Sequence, residues 1–298
     1  MKKLFLLALM ACMIGTGAMA QTSENTFEGE VTADVASVQK LKTQVLSKNF
    51  LVKIILKNVM KKVENNGYYT GNYTMTSITK GNKTRSYLPY NNCYMITEKN
   101  GDQMKTITYY PYIKKGFYSN MNLTANQQML DQMRKGKVEK TGETMTILGY
   151  KCDVYKVKYE QTTDSAGAKT TTILQNEFAI CSDPSLPSAD TETVPGVKGV
   201  PLKFINNTVA QTSVDKMLNM DILVYIATQT KEIKARKVDD SEVSVPDDIK
   251  LIDADKDAKG MAKIVQENQK YLQKNGLWKE TSPDDVKIYD NLNEDWDY

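Results

Sequence analysis

The chain has 298 residues, with 39 Lys and Arg against 36 Asp and Glu, and no histidine at all. That near-balance of charge, without a basic stripe interleaved with aromatics, gives nucleic-acid binding no footing. The missing imidazole excludes Ser-His-Asp and Cys-His catalysis and the histidine-containing zinc sites, so a hydrolase here would need paired carboxylates or a Ser-Lys arrangement.

The opening twenty residues have the anatomy of a secretory signal. Lys2 and Lys3 form a basic start, Leu4 to Ile14 an apolar core, and Ala18-Met19-Ala20 a small-residue cleavage site before Gln21. Cleavage after Ala20 predicts a mature chain in the periplasm or beyond. A rival reading takes Leu9-Met10-Ala11-Cys12 as a lipobox with Cys12 lipidated; the short apolar run before Cys12 and the poor fit of Met10 stand against it. No later run approaches the ~20 apolar residues a spanning helix needs. The expectation is an exported chain that is soluble or at most peripheral.

Phe27-Glu-Gly-Glu-Val31 predicts a short first strand. From Asp34 to Asn66 the pattern is helical: Val35, Val38, Leu41 and Val45, then Leu51, Ile54, Ile55, Val59 and Val63, recur at three- and four-residue steps. Asp34 suits the N-cap and Asn66-Gly67 a left-handed stop. Lys53, Lys57 and Lys61 form a stripe at four-residue spacing beside the apolar run Phe50 to Leu56. Such a helix either covers the apolar face of a sheet, its lysines reaching out to water, or touches an anionic membrane.

Between Tyr68 and Tyr118 a series of short strands is predicted: Tyr73 to Thr79, Lys83 to Tyr90, Cys93 to Glu98, Met104 to Tyr110 and Tyr112 to Tyr118. Lys80-Gly81-Asn82 and Asn91-Asn92 separate the first of these, and Asn100-Gly101 is the strongest two-residue hairpin signal in the chain. The many tyrosines here could stack as a sugar platform or line a lipid groove; tyrosine also simply suits half-exposed strands. Thr124-Ala-Asn-Gln127 is a capping box for a short helix bearing Met129, Leu130 and Met133, ended by Gly136.

Ile147 to Glu160 is the most strand-like run. Tyr150, Cys152 and Val154 alternate with Lys151 and Asp153, then Tyr155, Val157 and Tyr159 with Lys156 and Lys158, so the phase slips by one after Val154. A slip of this kind either flips the buried face or is absorbed by a bulge that bends the strand. After the polar turn Gln161 to Lys169, where Asp164-Ser165-Ala166 reads either as a bacterial O-glycosylation triplet or as a plain turn, Thr170 to Cys181 returns with Leu174, Phe178 and Ile180 on one face. A hairpin centred between Ala166 and Gly167 places Cys152 directly opposite Cys181, close enough for a disulfide worth about 3 kcal/mol in an oxidising compartment. Cys93 is then left free, with no Cys-x-x-Cys partner, and three mature cysteines cannot make a four-thiolate metal site.

Ser182 to Lys198 is a loop by composition, and Gly199-Val-Pro-Leu-Lys-Phe-Ile205 restarts the sheet. Ile222 to Ala227 is continuously apolar and Thr228 to Val238 alternates, and Val243-Ser-Val-Pro246 is expected to close the sheet region. Met261, Ile264, Val265, Tyr271 and Leu272 mark one face of a final helix stopped by Asn275-Gly276, and the acidic tail beyond Ser282 ends in Trp296-Asp297-Tyr298. The tail is either solvated or docked on a basic surface. The organisation expected is a signal over 1–20, a main domain over 21–252 carrying the helical insert 34–66, and a helix with an acidic tail over 253–298.

Five motifs in order carry a family resemblance: Phe27-Glu-Gly-Glu-Val31, Ile78-Thr-Lys-Gly-Asn-Lys-Thr-Arg85, Thr146-Ile-Leu-Gly-Tyr-Lys-Cys-Asp-Val-Tyr155, Gly199-Val-Pro-Leu-Lys-Phe204 and Val243-Ser-Val-Pro-Asp-Asp-Ile249. Through them residues 27 to 252 resemble a family of exported Gram-negative proteins of unknown function, related to the LolA/LolB-like lipoprotein-carrier superfamily. The strand ending at Cys181 lacks the tryptophan often seen there, with Phe178 in its stead, and residues 34–66 and those after Asp253 have no clear counterpart. The resemblance implies an α+β half-barrel, a curved antiparallel sheet wrapped around helices, whose concave face holds a lipid, an acyl chain or a lipoprotein. Strand alternation nominates Tyr73, Met75, Tyr87, Tyr94, Met95, Tyr109, Tyr112, Tyr150, Val154 and Phe204 as its lining. The implied protein is a non-catalytic envelope binder without cofactor or metal, with Lys53, Lys57 and Lys61 as a peripheral membrane contact. The alternatives are an envelope interaction or sensing module without lipid, and a carboxylate-only hydrolase, for which no acidic pair is marked out by spacing.

Overall fold

The computed structural model describes residues 27–65, 71–101, 103–122, 136–165, 168–186, 189, 192–214 and 217–277. The predicted signal, Cys12, the capping box at Thr124, the turn at Ala166-Gly167 and the acidic tail lie outside them.

Twelve strands make one open sheet. In chain order they are β1 (Gly29–Val45), β2 (Gly71–Lys80), β3 (Lys83–Leu88), β4 (Cys93–Asn100), β5 (Gln103–Tyr110), β6 (Lys115–Asn122), β7 (Lys137–Ile147), β8 (Tyr150–Ser165), β9 (Ala168–Cys181), β12 (Val200–Val214), β13 (Leu218–Ala235) and β14 (Lys250–Asp253). A small separate ribbon pairs β10 (Glu192–Val194) with β11 (Val197–Lys198), and the described residues include two α-helices, α1 (Phe50–Asn65) and α2 (Ala258–Lys274). The strand order is β14-β6-β5-β4-β3-β2-β1-β13-β12-β9-β8-β7. All neighbours are antiparallel except β14, which runs parallel to β6. The fold is thus α+β, with a mixed sheet that is not closed into a barrel.

The order has a simple logic. From β1 the chain meanders outward through β2 to β6, crosses to the far edge at β7, and returns inward through β8, β9, β12 and β13 to meet β1 from the other side. The short hairpins are set by glycine. Gly81 and Gly101 each sit at positive φ (58°) between the pairs Lys80–Lys83 and Asn100–Gln103, so the second turn begins one residue later than Asn100-Gly101 suggests. Leu148 (φ 53°) and Gly149 (φ 82°) form the two-residue link between Ile147 and Tyr150, a conformation matching the right-handed twist of a strand pair.

Two expectations are corrected here. The helix expected over 34–66 is confined to Phe50–Asn65, and residues 29–45 form the long strand β1 instead. Val31, Ala33 and Val35 are buried on one face, with Thr32 half-buried and Asp34 exposed between them, and this period-two signature breaks at Ala36 and Ser37, which are both buried. Helix α1 starts only where Asn49 caps it, its Oδ1 accepting from the amides of Leu51 (3.1 Å) and Val52 (3.3 Å). Ile147–Glu160 is a hairpin end followed by β8, and of the two readings of its phase slip the strand takes the flip of the buried face, without a bulge. The β8–β9 register is unbroken from Asp153–Ile180 to Ser165–Ala168, and the irregularity lies in β7, between Lys140 and Thr144. Val243–Pro246 is not a strand either: a 3-10 turn over Asp240–Val243 leads to a crossing segment, and β14 closes the sheet.

Directly paired residues share a face of the sheet. On the face of Val35, α2 packs Ile264 and Val265 against Met75, Leu88, Cys93, Met95 and Tyr110. Asn268 Nδ2 donates to the Asn91 carbonyl (2.9 Å) and Lys115 bridges to Glu267 (2.7 Å), which ties α2 to β6 and the β3–β4 turn. Further along this face Phe178 and Phe204, 4.9 Å apart, lie beneath Val194 and Val197 of the ribbon. On the opposite face, Val245, Ile249 and Leu251 cover Ile96, Ile107 and Tyr109. Gly116 lets β14 approach, since a Cβ there would collide with Tyr109, Leu251 and the Thr108 carbonyl.

The crossing segment is latched by charge. Arg236 Nη2 contacts Glu242 (2.7 Å) and Glu30 (3.4 Å), Glu28 Oε1 accepts from the Val238 amide (2.6 Å), and Glu242 Oε1 accepts from the Asp239 amide (2.9 Å). Arg236 first, then the Asp239 amide, hold the Glu242 carboxyl down at about 2, against an ordinary 4.5. A depressed carboxyl stabilises the fold above its unfolded pKa, and the contribution is lost as pH falls through the folded value. Glu242→Gln should therefore lower Tm at pH 7, with a deficit relative to the wild type that shrinks as pH is taken from 4.5 toward 2. Calorimetry across that window checks it; a deficit that does not shrink would assign the loss to packing.

Candidate functional site

A groove of about 800 Å³ lies on one face of the central strands, where no helix or ribbon packs among the described residues. Its floor follows from the register. Thr74, Asp34, Gln229 and Lys203 face one another across β2, β1, β13 and β12, and the next row holds Asn72, Ala36, Ala227, Ile205 and, on β9, Glu177. Each member of these two rows lines the groove. Ala36 and Ala227 lie at the bottom, and with Ile205 and the buried Tyr225 they form one apolar cluster. Their short side chains make the space.

Charge sits at the sides. Asp34 accepts from Thr74 Oγ1 (2.8 Å) and pairs with Lys231 (3.2 Å). Glu177 lies between Lys156 (3.8 Å) and Lys203 (4.0 Å). Burial pushes the Tyr225 phenol up to about 12, and the nearby Glu177 carboxylate adds to the rise. Tyr225 adds a phenol beside the apolar strip of Ala36, Ala227 and Ile205, and polar and charged side chains make up the rest of the two rows. The arrangement can receive a molecule with an apolar body and a polar end. Among the described residues no group of three or more metal-ligating side chains comes together.

The residues nominated from the sequence are dispersed. Of the ten, Tyr73 alone borders the groove, although its pairing with Val35 puts its side chain in the cluster on the α2 face. Met75 and Met95 lie in the cluster on the other face against α2. Tyr87, Tyr94 and Tyr109 form a stacked ladder, with ring centroids 4.9 and 5.2 Å apart and Arg85 4.8 Å above Tyr94. Tyr94 and Tyr109 are covered by the segment containing Val245. Tyr112 stacks on Tyr271 of α2 at 5.5 Å, Tyr150 packs beside Cys152, Val154 is buried, and Phe204 pairs with Phe178 under the ribbon. The sequence reading missed the alanines at 36 and 227 and the ions at 34, 177 and 203. Their only signal is a small or charged residue inside an apolar strand, at Ala36, Ala227 and Glu177.

The cysteines are placed in part as expected. The β8–β9 register sets Cys152 opposite Cys181, one step beyond Asp153–Ile180, and the Cys152 thiol donates to the Tyr150 carbonyl (3.7 Å). The expected disulfide is not formed: Cys93, Cys152 and Cys181 are all buried free thiols. Lys53 and Lys57 are exposed on α1, and Lys61 lies on the helix beyond its described side chains.

A family model described as a domain of unknown function, DUF4412, matches residues 50–249. No curated protein and no solved structure matches the chain.

Cys93 is 2 % exposed, and burial alone pushes its thiol up to about 12. Because the thiolate is the reactive form, Cys93 should stay unmodified when the folded protein meets iodoacetamide at pH 8, and react fully in denaturant. Peptide mass mapping of the two samples reads the difference.

Proposed function

The chain belongs to the family described as a domain of unknown function, DUF4412, and from the chemistry of its own sheet we propose that it is a non-catalytic envelope protein that holds an amphipathic ligand, an acyl chain with a polar end, in the groove across β2, β1, β13, β12 and β9. The observation that carries this reading is an apolar strip of Ala36, Ala227 and Ile205 set among polar and charged side chains within a space of about 800 Å³. That lies within the roughly 300–1,000 Å³ of small-molecule sites, where apolar walls supply affinity and a few polar groups fix orientation. Each methylene laid on the Ala36–Ala227 floor contributes about 0.8 kcal/mol when fully removed from water. A polar end then meets Lys203, Glu177 and Tyr225. The resemblance of the motif order to lipoprotein-carrier half-barrels points the same way, though the groove lies on the uncovered central strands rather than among the tyrosines.

The test uses dodecanoic acid and lysophosphatidylcholine as probes. The wild type should show a one-to-one adduct by native mass spectrometry and a rise in Tm with ligand. Ala36→Trp and Ala227→Trp fill the floor and should abolish both responses while remaining folded. Absence of any adduct with the wild type, or full retention of binding by the filled variants, would overturn the reading.

Export through the predicted signal brings the chain to an oxidising compartment, and the facing cysteines report on that. Exchange with the disulfide of an envelope oxidoreductase would join Cys152 to Cys181. The two thiols lose two protons and two electrons, and the oxidoreductase leaves as a dithiol. In acid-quenched protein from the envelope fraction of its host, Cys152 and Cys181 should become alkylatable only after reduction, and Cys93 after unfolding alone. Labelling of Cys152 and Cys181 without reduction would count against residence in such a compartment.

A further inference from the structure

Helix α1 is only partly used by the fold. It packs against β1, and Val52 and Leu56 are half-buried. Phe50 and Leu51 are exposed by 73 % and 69 %, and Ile55 and Ile54 by 62 % and 42 %. Positions 50, 51, 54 and 55 form one stripe along the helix, distinct from that of Val52 and Leu56. At the same end of the sheet the Leu46 amide donates to the Met217 carbonyl (2.8 Å), and the side chains of both residues are exposed as well. Six large apolar side chains thus face solvent together. This is more than a scatter of single surface hydrophobics and marks a surface that is covered in use.

Basic residues predominate along the chain that carries this patch, although Glu64 lies in the last turn of α1 and Asp221 stands opposite Lys42. From Val35 to Val63 the sequence contains seven lysines and no acidic residue. Among those described, Lys42, Lys48, Lys53 and Lys57 are exposed, and Lys53 and Lys57 are one helical turn apart on α1. A second copy docked here would bring two such lysine sets together. An anionic bilayer meets both requirements at once, because lysines engage headgroups while the apolar stripe enters the acyl boundary. The helix has 16 residues and includes Lys53, Lys57, Lys61 and Lys62, so it is too short and too charged to span.

We propose that α1, with Leu46 and Met217 beside it, is an interfacial anchor that seats the protein on an anionic lipid surface, with α1 lying in the plane of the membrane. The anchor stands apart from the groove. Ala36→Trp, which fills the groove, leaves it intact, so the two readings fail separately.

The full chain without its signal is mixed with vesicles of phosphatidylcholine alone or of phosphatidylcholine with phosphatidylglycerol, and bound protein is measured by flotation at low and high salt. Binding should require phosphatidylglycerol and weaken with salt. Phe50→Ser with Ile54→Ser should lower binding by about tenfold or more, with Tm unchanged for Phe50→Ser alone, because Phe50 is 73 % exposed in the free protein while Ile54 is 42 % exposed. Lys53→Gln and Lys57→Gln should each cost about fivefold and flatten the salt dependence. Three outcomes would overturn the proposal: wild-type protein that stays off phosphatidylglycerol vesicles, equal binding to both vesicle types, or a dimer in sedimentation that the Phe50 and Ile54 changes dissolve without any vesicle binding.

Discussion

The structure depends on β1. It pairs with β13 over its whole length, from Gly29–Ala235 to Val45–Leu218, and with β2 from Gly29–Thr79 to Ser37–Gly71. No other strand joins the meander β2–β6 to the returning strands β7–β13. At about 3.3 Å per residue, its 17 residues run for roughly 55 Å. Two consequences follow from one strand holding both halves. Its central residues are covered or floored on both faces, which selects Val35 for one side and Ala36 for the other. Beyond Ser37 the β2 side of β1 has no strand partner among the described residues, and it is against β1 that α1 packs. An unpaired edge beside other strands invites further pairing, and a helix or a run of lysines is a common way to blunt it.

A break in its pattern explains why β1 was not legible. Val35, Val38, Leu41 and Val45 fall at steps of three and four, as on a helix face, and the alternation of Val31, Ala33 and Val35 stops at Ala36 and Ser37, which are both buried. Where a strand has one buried face, or a glycine turn fixes its end, the sequence spoke clearly. The hairpins at Gly81 and Gly101, the β8–β9 register and the stop at Asn275-Gly276 are of this kind. Ile147–Glu160 lies between the cases. Its phase slip correctly signalled a change of buried face, with Cys152 and Val154 on one side and Val157 on the other, while Gly149 marked a turn rather than a flaw within a strand. The parallel addition of β14 depends on a long-range contact with β6, and its four residues carry no local sign of their partner.

The site was less legible than the fold, for a different physical reason. Reading from composition favours large side chains, so the tyrosines and methionines of β2–β5 stood out. In the folded chain those residues fill space: Met75 and Met95 meet α2, and Tyr94 and Tyr109 meet Val245 and Leu251. A groove is made where side chains are short, and Ala36 and Ala227 become neighbours only through a register joining residues almost two hundred positions apart. Glu177 and Lys203 likewise share a rim because β9 pairs with β12.

The covering of the sheet then locates function. The β2–β6 half is covered on one face by α2 and on the other by the segment after Arg236, latched by the Arg236–Glu242 and Arg236–Glu30 pairs. The returning half is covered on one face by the β10–β11 ribbon, with Leu186 and Phe27 closing a further cluster around Cys152 and Cys181. On the face of Ala36, the strands on either side of β1 have no such cover among the described residues, and their floor is kept low by alanine while ions stand around it. Filling that face with larger apolar residues would gain burial and favour stability. A low floor flanked by Asp34, Glu177 and Lys203 forgoes that gain, as a binding surface does and a packing surface does not.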